Sequence, residues 1–124
     1  MEIKFATESL AALGHETRLA IFRLLVQAGP DGINAGVIGE NLGIPPTTLS
    51  FHLAHLNRVG LIKGRQESRF IFYSADYWAM DDLLAFLTDN CCQGNTCLPK
   101  ISVANTVAKR RSQPPKAANA KERR

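Results

Sequence analysis

The fold class that this sequence predicts is α+β and mostly α-helical, and three observations support it. Amphipathic segments with apolar residues three and four positions apart recur up to residue 89. A Pro-Pro pair, Pro45 and Pro46, introduces one of the helices. Two short runs rich in β-branched and aromatic residues follow that helix. The 124 residues, 45% of them hydrophobic, suffice for one small core.

Residues 44–61 predict a helix with two different faces. Its apolar face holds Leu49, Leu53, Leu56 and Gly60, and its opposite face holds Thr47, Ser50, Phe51, Ala54 and Arg58. A short helix over residues 34–42, with Asn34 as N-cap and Gly43 as its stop, precedes it. The pair predicts a helix-turn-helix, whose second helix enters the DNA major groove. An ordinary amphipathic helical hairpin fits the periodicity equally well.

Two predicted strands, residues 61–66 and 70–74, follow as a hairpin around residues 67–69. The connection lacks the Asn-Gly or Asp-Gly pair that favours tight hairpin turns. Arg65 and Arg69 flank its tip, where they can reach phosphates or the adjacent minor groove. A helix-turn-helix followed by such a hairpin is a winged helix with a two-stranded wing.

Three stretches resemble the ArsR/SmtB family of bacterial transcriptional repressors. They are LGHETRLAIFRLL (13–25), LGIPPTTLSFHLAHLNRVGLI (42–62) and RQESRFIFY (65–73). Their Ser-x-His-Leu, Val-Gly-Leu-Ile and Arg-x-Glu-x-Arg pieces have the order and spacing of that family. The resemblance covers roughly the first ninety residues. It implies a homodimeric repressor that dimerises through its N- and C-terminal helices and leaves its operator when a metal or metalloid binds.

The side chains predicted to contact DNA are those of Thr47, Thr48, Ser50, Phe51, His52, Arg65 and Arg69. Two of them leave alternatives open. His52 lies beside the apolar stripe, so a half-buried side chain bonded to the backbone competes with DNA contact. The family usually places a polar or basic residue at position 51. A phenyl group there either packs on a thymine methyl or contacts another protein.

Three further helices are predicted. They cover residues 7–13 with Thr7 as N-cap, residues 16–27 with Leu19, Phe22, Leu25 and Val26 buried, and residues 76–89 with Asp76 as N-cap. His15, at the entry to the second of them, is expected to cap or pack rather than to bind a metal. The last helix has a broad apolar surface, which we expect to pack against a partner subunit.

The three cysteines of the chain, Cys91, Cys92 and Cys97, lie together in NCCQGNTC. Gly94 and Asn95 permit a turn that brings Cys97 back to the adjacent pair. Three sulfur ligands suit a three-coordinate soft centre, such as trivalent arsenic or antimony, better than a tetrahedral zinc site. The resemblance adds that family members with cysteines in such a position respond to trivalent arsenicals. Another soft metal, a thiol redox switch and inert cysteines are the alternatives.

Charge is distributed unevenly along the chain. Residues 1–108 hold eight Lys/Arg and ten Asp/Glu, whereas residues 109–124 hold seven and one. DNA binding must therefore come from local patches, and the tail either adds non-specific affinity or is only solvated. We expect a folded domain with the cysteine site over residues 1–98 and a basic, disordered tail over residues 99–124.

Several classes of protein are disfavoured by what the chain contains. No stretch approaches the ~18 apolar residues of a membrane span, and the N-terminus lacks a signal-peptide pattern, so we expect a cytoplasmic protein. The cysteines have no C-x-x-C spacing and no base beside them, which argues against an enzyme. A winged helix used only for protein contact is a further class, and Arg65 and Arg69 argue against it.

Overall fold

A computed structural model describes residues 1–94 of the chain. The elements are α1 (Ile3–Leu13), α2 (Glu16–Ala28), β1 (Ile33–Asn34), α3 (Ala35–Leu42), α4 (Pro46–Arg58), β2 (Ile62–Glu67), β3 (Phe70–Ala75), α5 (Tyr77–Leu87) and a 3₁₀ helix (Cys91–Gly94). The predicted fold class is thus confirmed. Within the described part, no helix is long and apolar enough to cross a membrane.

The chain divides into two units, Met1–Leu87 and Thr88–Arg124. The first unit holds α1 to α5 and the sheet, and the 3₁₀ helix belongs to the second. The predicted boundary between residues 98 and 99 lies outside the described residues, as does the predicted tail. Both stay predictions.

The sheet has three strands in the order β1-β3-β2, and both pairings are antiparallel. The predicted hairpin is confirmed, with Glu67 opposite Phe70 at its closed end. Ser68, in the turn, has a φ of 61°, a left-handed conformation that few non-glycine residues adopt. The third strand, β1, was not predicted, because two residues are too few to show an alternating pattern.

The core of the first unit lies between α2, α3, α4 and the sheet. Its largest fully buried side chains are Ile21, Leu25, Ile38, Leu56 and Leu61. Burying one such side chain contributes about 1.5–3 kcal/mol relative to leaving it in water. The packing of α2, α3 and α4 on one another and on the sheet therefore accounts for much of the stability of this small unit.

One residue of the predicted buried stripe of α2 was assigned wrongly. Phe22 and Leu25 are buried and Val26 is half-buried, but Leu19 is 42% exposed. Ile21, which was not on the predicted stripe, is fully buried instead. Residues two positions apart lie about 200° apart around a helix, so Leu19 and Ile21 cannot both face the same core.

Helix α1 begins earlier than predicted. It starts at Ile3, and Thr7 lies inside it rather than at its N-cap. The Thr7 hydroxyl donates a hydrogen bond of 2.8 Å to the carbonyl oxygen of Ile3, four residues back. Glu2, the actual N-cap residue, makes no side-chain capping bond, so the sequence carried no signal for this start.

The predicted starts of α2 and α5 are confirmed by their capping bonds. His15 Nδ1 accepts a hydrogen bond of 3.1 Å from the backbone N–H of Thr17, as expected for a local role of this histidine. Asp76 Oδ1 accepts one of 3.1 Å from the N–H of Ala79. These bonds satisfy backbone donors that helix geometry leaves without a partner.

Replacing Asn34 by Ala should lower the free energy of unfolding. Asn34 Oδ1 accepts a hydrogen bond of 3.2 Å from the N–H of Val37 at the start of α3. Removing such an N-cap costs about 1 kcal/mol. Urea unfolding would measure the change. The control is Asn41→Ala, which alters an exposed residue inside the same helix and should leave stability equal or slightly higher, because Ala favours helix. An equal decrease in both variants would contradict a specific capping role.

Candidate nucleic-acid interface

The turn between α3 and α4 fixes the direction of the second helix. Gly43 closes α3 with φ 66° and ψ 37°, the left-handed conformation that glycine adopts without strain. The N–H of Ile44 donates to the carbonyl oxygen of Gly39 at 3.0 Å. A Cβ on Gly39 would lie 3.1 Å from the Ile44 carbonyl oxygen, so a side chain there would crowd the turn. Helix α4 then runs from Pro46 to Arg58, with Pro46 at its first position, and is shorter than the predicted helix of residues 44–61.

Helix α4 has one buried and one exposed face. Leu49, His52, Leu53 and Leu56 are buried, whereas Thr47, Thr48, Ser50, Phe51, Ala54, Asn57 and Arg58 are exposed. This agrees with the two faces predicted from the sequence, except that His52 joins the buried face and that Gly60 is exposed and lies beyond the end of α4 at Arg58. The exposed residues of the first two turns are short and mostly hydroxyl-bearing, apart from Phe51, which is 66% exposed. Hydroxyl groups can both donate to and accept from base edges.

The side chain of His52, one of the predicted DNA contacts, is only 6% exposed, so the structure favours a packing role for it over a DNA contact. Its Nδ1 lies 3.3 Å from Nη1 of Arg18 on α2, and its ring centroid lies 4.8 Å from that of His15. Arg18 also donates from Nε to the carbonyl oxygen of Ala12 at 2.7 Å. His52 therefore joins α4 to α2 and the end of α1. The position of His52 next to the leucine stripe was the one sequence signal for this arrangement.

The surroundings of His52 favour its neutral form. Burial, together with the nearby His15, Arg18 and His55, lowers its pKa below the ordinary value of 6.5. The guanidinium N–H of Arg18 points to Nδ1, which can accept a hydrogen bond only while it carries no proton. The pKa of His55 is also lowered, by burial and by Arg18, Arg58 and His15.

Arg65 on the wing is held by contacts within the protein. Its Nε donates to Oε2 of Glu67 at 2.9 Å, and one Nη donates to the carbonyl oxygen of Asp31 at 3.2 Å. The guanidinium carbon lies 5.3 Å from the ring centroid of Phe72. The carboxylate of Glu67 offsets part of the Arg65 charge at this exposed position. Arg65 and Glu67 are two residues apart on β2 and so share one side of the strand, which the sequence analysis missed because it placed Glu67 in the hairpin connection.

Arg69 lies next to Ser68 in the hairpin turn, at the tip of the wing, and is exposed. Two further exposed cations, Arg58 at the end of α4 and Lys63 on β2, belong to the same helix-to-hairpin stretch. Together they provide the local positive charge that the predicted DNA contacts require. A helix with an exposed hydroxyl face and a hairpin with exposed arginines can bind the sugar-phosphate backbone and base edges of a duplex.

The predicted cysteine site is largely outside the described structure. Cys91 and Cys92 lie in the 3₁₀ helix Cys91–Gly94, and Cys91 is half-buried. Cys97 is outside residues 1–94. Within those residues, no group of three or more His, Cys, Asp or Glu side chains is arranged to hold a metal ion. The three-cysteine site is therefore a prediction that this structure does not test.

The fold and the exposed face of α4 define a winged helix-turn-helix DNA-binding protein. A helix-turn-helix domain family matches residues 13–65. The transcriptional activator HlyU of Vibrio cholerae is 30% identical over 86 residues, 69% of this chain and 77% of that protein. The transcriptional regulator YgaV of Escherichia coli is 31% identical over 87 residues, 70% of this chain and 86% of that protein.

Solved structures show the same likeness. Reduced HlyU from Vibrio cholerae superposes with a TM-score of 0.54 at 32% identity, over 69% of this chain and 90% of that one. The homodimeric winged helix-turn-helix DNA-binding domain of a possible ArsR-family regulator from Mycobacterium bovis superposes with a TM-score of 0.57 at 25% identity, over 75% and 86%. The chain belongs to the ArsR family of transcriptional regulators, and it is a DNA-binding regulator and not an enzyme.

Stability should fall as the pH drops below about 6.5. The unfolded chain then takes up a proton on His52, while the folded protein, in which the pKa of His52 is lowered, does not. Each such histidine adds at most about 1.4 kcal/mol per pH unit. Urea unfolding between about pH 5 and pH 8 would measure the slope.

The control for this dependence is His52→Gln, which keeps an acceptor for Arg18 but does not titrate. Its stability should depend less on pH than that of the wild type. Some dependence should remain, because the pKa of His55 is also lowered. Equal slopes for wild type and variant would show that His52 does not contribute.

Proposed function

We propose that this regulator is a homodimeric repressor that leaves its operator when trivalent arsenic or antimony binds Cys91, Cys92 and Cys97. The DNA-binding part rests on one observation, the exposed face of α4 in its first two turns. The sensing part rests on the grouping of all three cysteines within NCCQGNTC. Separate experiments test DNA binding and sensing.

Helix α4 would lie in the major groove with its N-terminal half against the bases. Thr47, Thr48 and Ser50 are exposed and carry hydroxyl groups that can pair with several base edges. His52 is not among the proposed contacts, because it is buried against α2. In the proposed complex, α4 distinguishes base pairs and the wing positions the protein on the backbone.

On the wing, Arg69 is the stronger candidate for a phosphate contact. Arg65 is paired with Glu67 at 2.9 Å, and a phosphate approaching it would also meet that carboxylate. Exposed ion pairs contribute little to stability, so DNA could displace Glu67, but at a cost in affinity. Arg69 lies at the tip of the wing, and within residues 1–94 Glu67 forms its ion pair with Arg65 and not with Arg69.

Apolar side chains on α1 and α5 support the proposed homodimer. The exposed ones are Ile3, Phe5 and Leu10 on α1 and Trp78, Leu84 and Leu87 on α5. These two helices contact each other, and Leu19, Met80 and Leu83 line an apolar groove beside them. Exposed apolar surface of this extent is typical of protein interfaces. The similar domain from Mycobacterium bovis is homodimeric.

The chemistry of the cysteines favours a trivalent arsenical as inducer. Arsenite is As(OH)₃, and three thiols replace its hydroxyl groups, forming three As–S bonds and releasing three water molecules without any change of oxidation state. Three soft ligands from one short segment match this need, whereas closed zinc sites take four ligands. A coupling of about 3 kcal/mol between inducer and DNA would weaken operator binding roughly a hundredfold.

Thiol oxidation at the same cysteines is a second candidate for the signal. One observation favours it, since the similar HlyU was solved as the reduced protein. Hydrogen peroxide would take two electrons and two protons from two thiols, giving a disulfide and two water molecules. Single Cys→Ser variants, titrated with peroxide in place of arsenite, would distinguish the two signals.

Arg69→Ala should weaken DNA binding more than Arg65→Ala. The slope of the logarithm of affinity against the logarithm of salt concentration should become less steep by about one for each Arg69 that contacts a phosphate. Glu67→Gln should strengthen binding, because it removes a negative charge beside the phosphates and releases Arg65. Fluorescence anisotropy on the promoter region of the protein's own operon, at several salt concentrations, measures all three.

The control for these wing variants is Glu16→Gln, which makes the same charge change as Glu67→Gln at an exposed position on α2. It should leave the affinity for DNA unchanged. If Arg65→Ala reduced the salt slope as much as Arg69→Ala does, the ion pair with Glu67 would not be what distinguishes the two arginines.

Single Cys→Ser replacements at Cys91, Cys92 and Cys97 should leave operator binding intact and abolish release by arsenite. A serine hydroxyl cannot replace the soft thiolate as a ligand. Anisotropy of the reduced protein on its promoter DNA, titrated with arsenite and separately with zinc, measures both properties. Asp89→Asn is the matched control, because Asp89 can serve as a fourth ligand for zinc but not in a three-thiol arsenic site.

Each outcome of the cysteine experiment has a defined meaning. Release of the wild type by arsenite and not by zinc, with no release of the three Ser variants, supports the proposed sensor. Failure of the Ser variants to bind the operator would mean that the cysteines are structural. Tight binding unaffected by arsenite would refute the metalloid signal and leave oxidation as the candidate.

A further inference from the structure

Phe51 is an apolar side chain at the centre of a polar, exposed surface. Its ring is 66% exposed, and it shares the outer face of α4 with Thr47, Ser50 and Ala54. It is the exposed one among the large apolar residues of α4. Leaving a phenyl group in water forfeits the stabilisation that its burial would give. The position therefore suggests that the ring is buried when the protein acts.

The side chains next to Phe51 on its face of α4 are too small to cover its ring. Thr47, Ser50 and Ala54, within one turn of Phe51 on the same face, are all much smaller than a phenyl group. The ring meets the imidazole of His52 edge to face, with centroids 5.5 Å apart and planes at 69°. His52 is buried and contacts Arg18, so the inner side of the ring rests on a fixed partner.

The chemistry of the ring limits what it can recognise in a major groove. A phenyl group has no atom that donates or accepts a conventional hydrogen bond. Most groups that base pairs present in the major groove are donors or acceptors, and the apolar exception in unmodified DNA is the C5-methyl of thymine. We propose that Phe51 is a specificity-determining residue that packs on this methyl. The inference rests on the proposed DNA contact of α4.

A protein partner is the less favoured occupant. Docking of a protein on an apolar surface normally involves a contiguous patch, whereas the exposed residues within one turn of Phe51 on α4 are hydroxyl-bearing or small: Thr47, Thr48, Ser50 and Ala54. The other exposed large apolar residues lie on elements other than α4. Phe70 and Ile71, for example, lie on the wing strand β3. The surroundings of the ring thus match a surface that also has to pair with polar base edges.

The test is a two-by-two comparison of protein and DNA. The promoter region of the protein's own operon is amplified once with thymidine and once with deoxyuridine, which lacks only the C5-methyl. Wild type and Phe51→Ala, both reduced, are titrated with each fragment by fluorescence anisotropy. Removing one buried methyl should weaken wild-type binding about fourfold, or on the order of fifteenfold for two half-sites. Phe51→Ala should bind both fragments equally.

The comparison separates packing on the methyl from other effects of deoxyuridine. A change in DNA shape would affect wild type and Phe51→Ala alike, so it cancels when the effects of deoxyuridine on the two proteins are compared. Phe70→Ala is the matched control, because it removes an exposed phenyl from the wing, and it should retain the wild-type sensitivity to deoxyuridine. Phe51→Leu keeps an apolar side chain and should retain part of the sensitivity. Thermal unfolding checks that all variants are folded.

Several results would overturn the inference. If wild type bound both fragments equally, the proposed DNA-binding function would stand, but Phe51 would not contact thymine, and a protein contact would become its role. Equal sensitivity in Phe51→Ala and wild type would place the methyl contact on another residue. Failure of wild type to bind the thymidine fragment would overturn the proposed function together with this inference.

Discussion

The packing of one face of α4 against α2, α3 and the sheet is the constraint on which the DNA-binding surface depends. Leu49, Leu53 and Leu56 bury that face, and Arg18 reinforces it by contacting His52 and the carbonyl oxygen of Ala12. A helix held in this way cannot rotate about its axis without exposing leucines, each worth about 1.5–3 kcal/mol. The orientation of the outer face is therefore set by the core, and the residues there are available for contact.

The surface proposed to contact DNA combines a small net charge with groups that act at short range. In residues 1–108 acidic side chains slightly outnumber basic ones, and Arg65 is partly neutralised by Glu67. Uncharged groups dominate the first turns of α4. In the proposed complex, discrimination between DNA sequences would rest more on contacts with base edges than on charge, whereas the wing arginines would set the affinity and its dependence on salt.

The proposed sensing site and the proposed DNA contacts lie in different parts of the chain. The proposed contacts with DNA belong to the unit Met1–Leu87, and the cysteines belong to the sequence that follows it. Allosteric release needs only that the inducer bind the form with low affinity for DNA more tightly than the form with high affinity. A family with a common DNA-binding fold can therefore respond to different signals, because ligand residues can change while the core that orients α4 is kept.

Local signals in the sequence were sufficient to predict the helix-turn-helix, the starts of α2 and α5, the hairpin and the two faces of α4. These features were predictable because capping residues, prolines and helical periodicity act over only a few residues. The burial of His52, the exposure of Leu19 and the pairing of β1 with the sheet became visible only in the folded protein. These features depend on which distant element covers a residue. Periodicity places a side chain on one side of a helix, but burial needs a neighbour on that side, and here Arg18 on α2 and His15 at its N-cap cover His52.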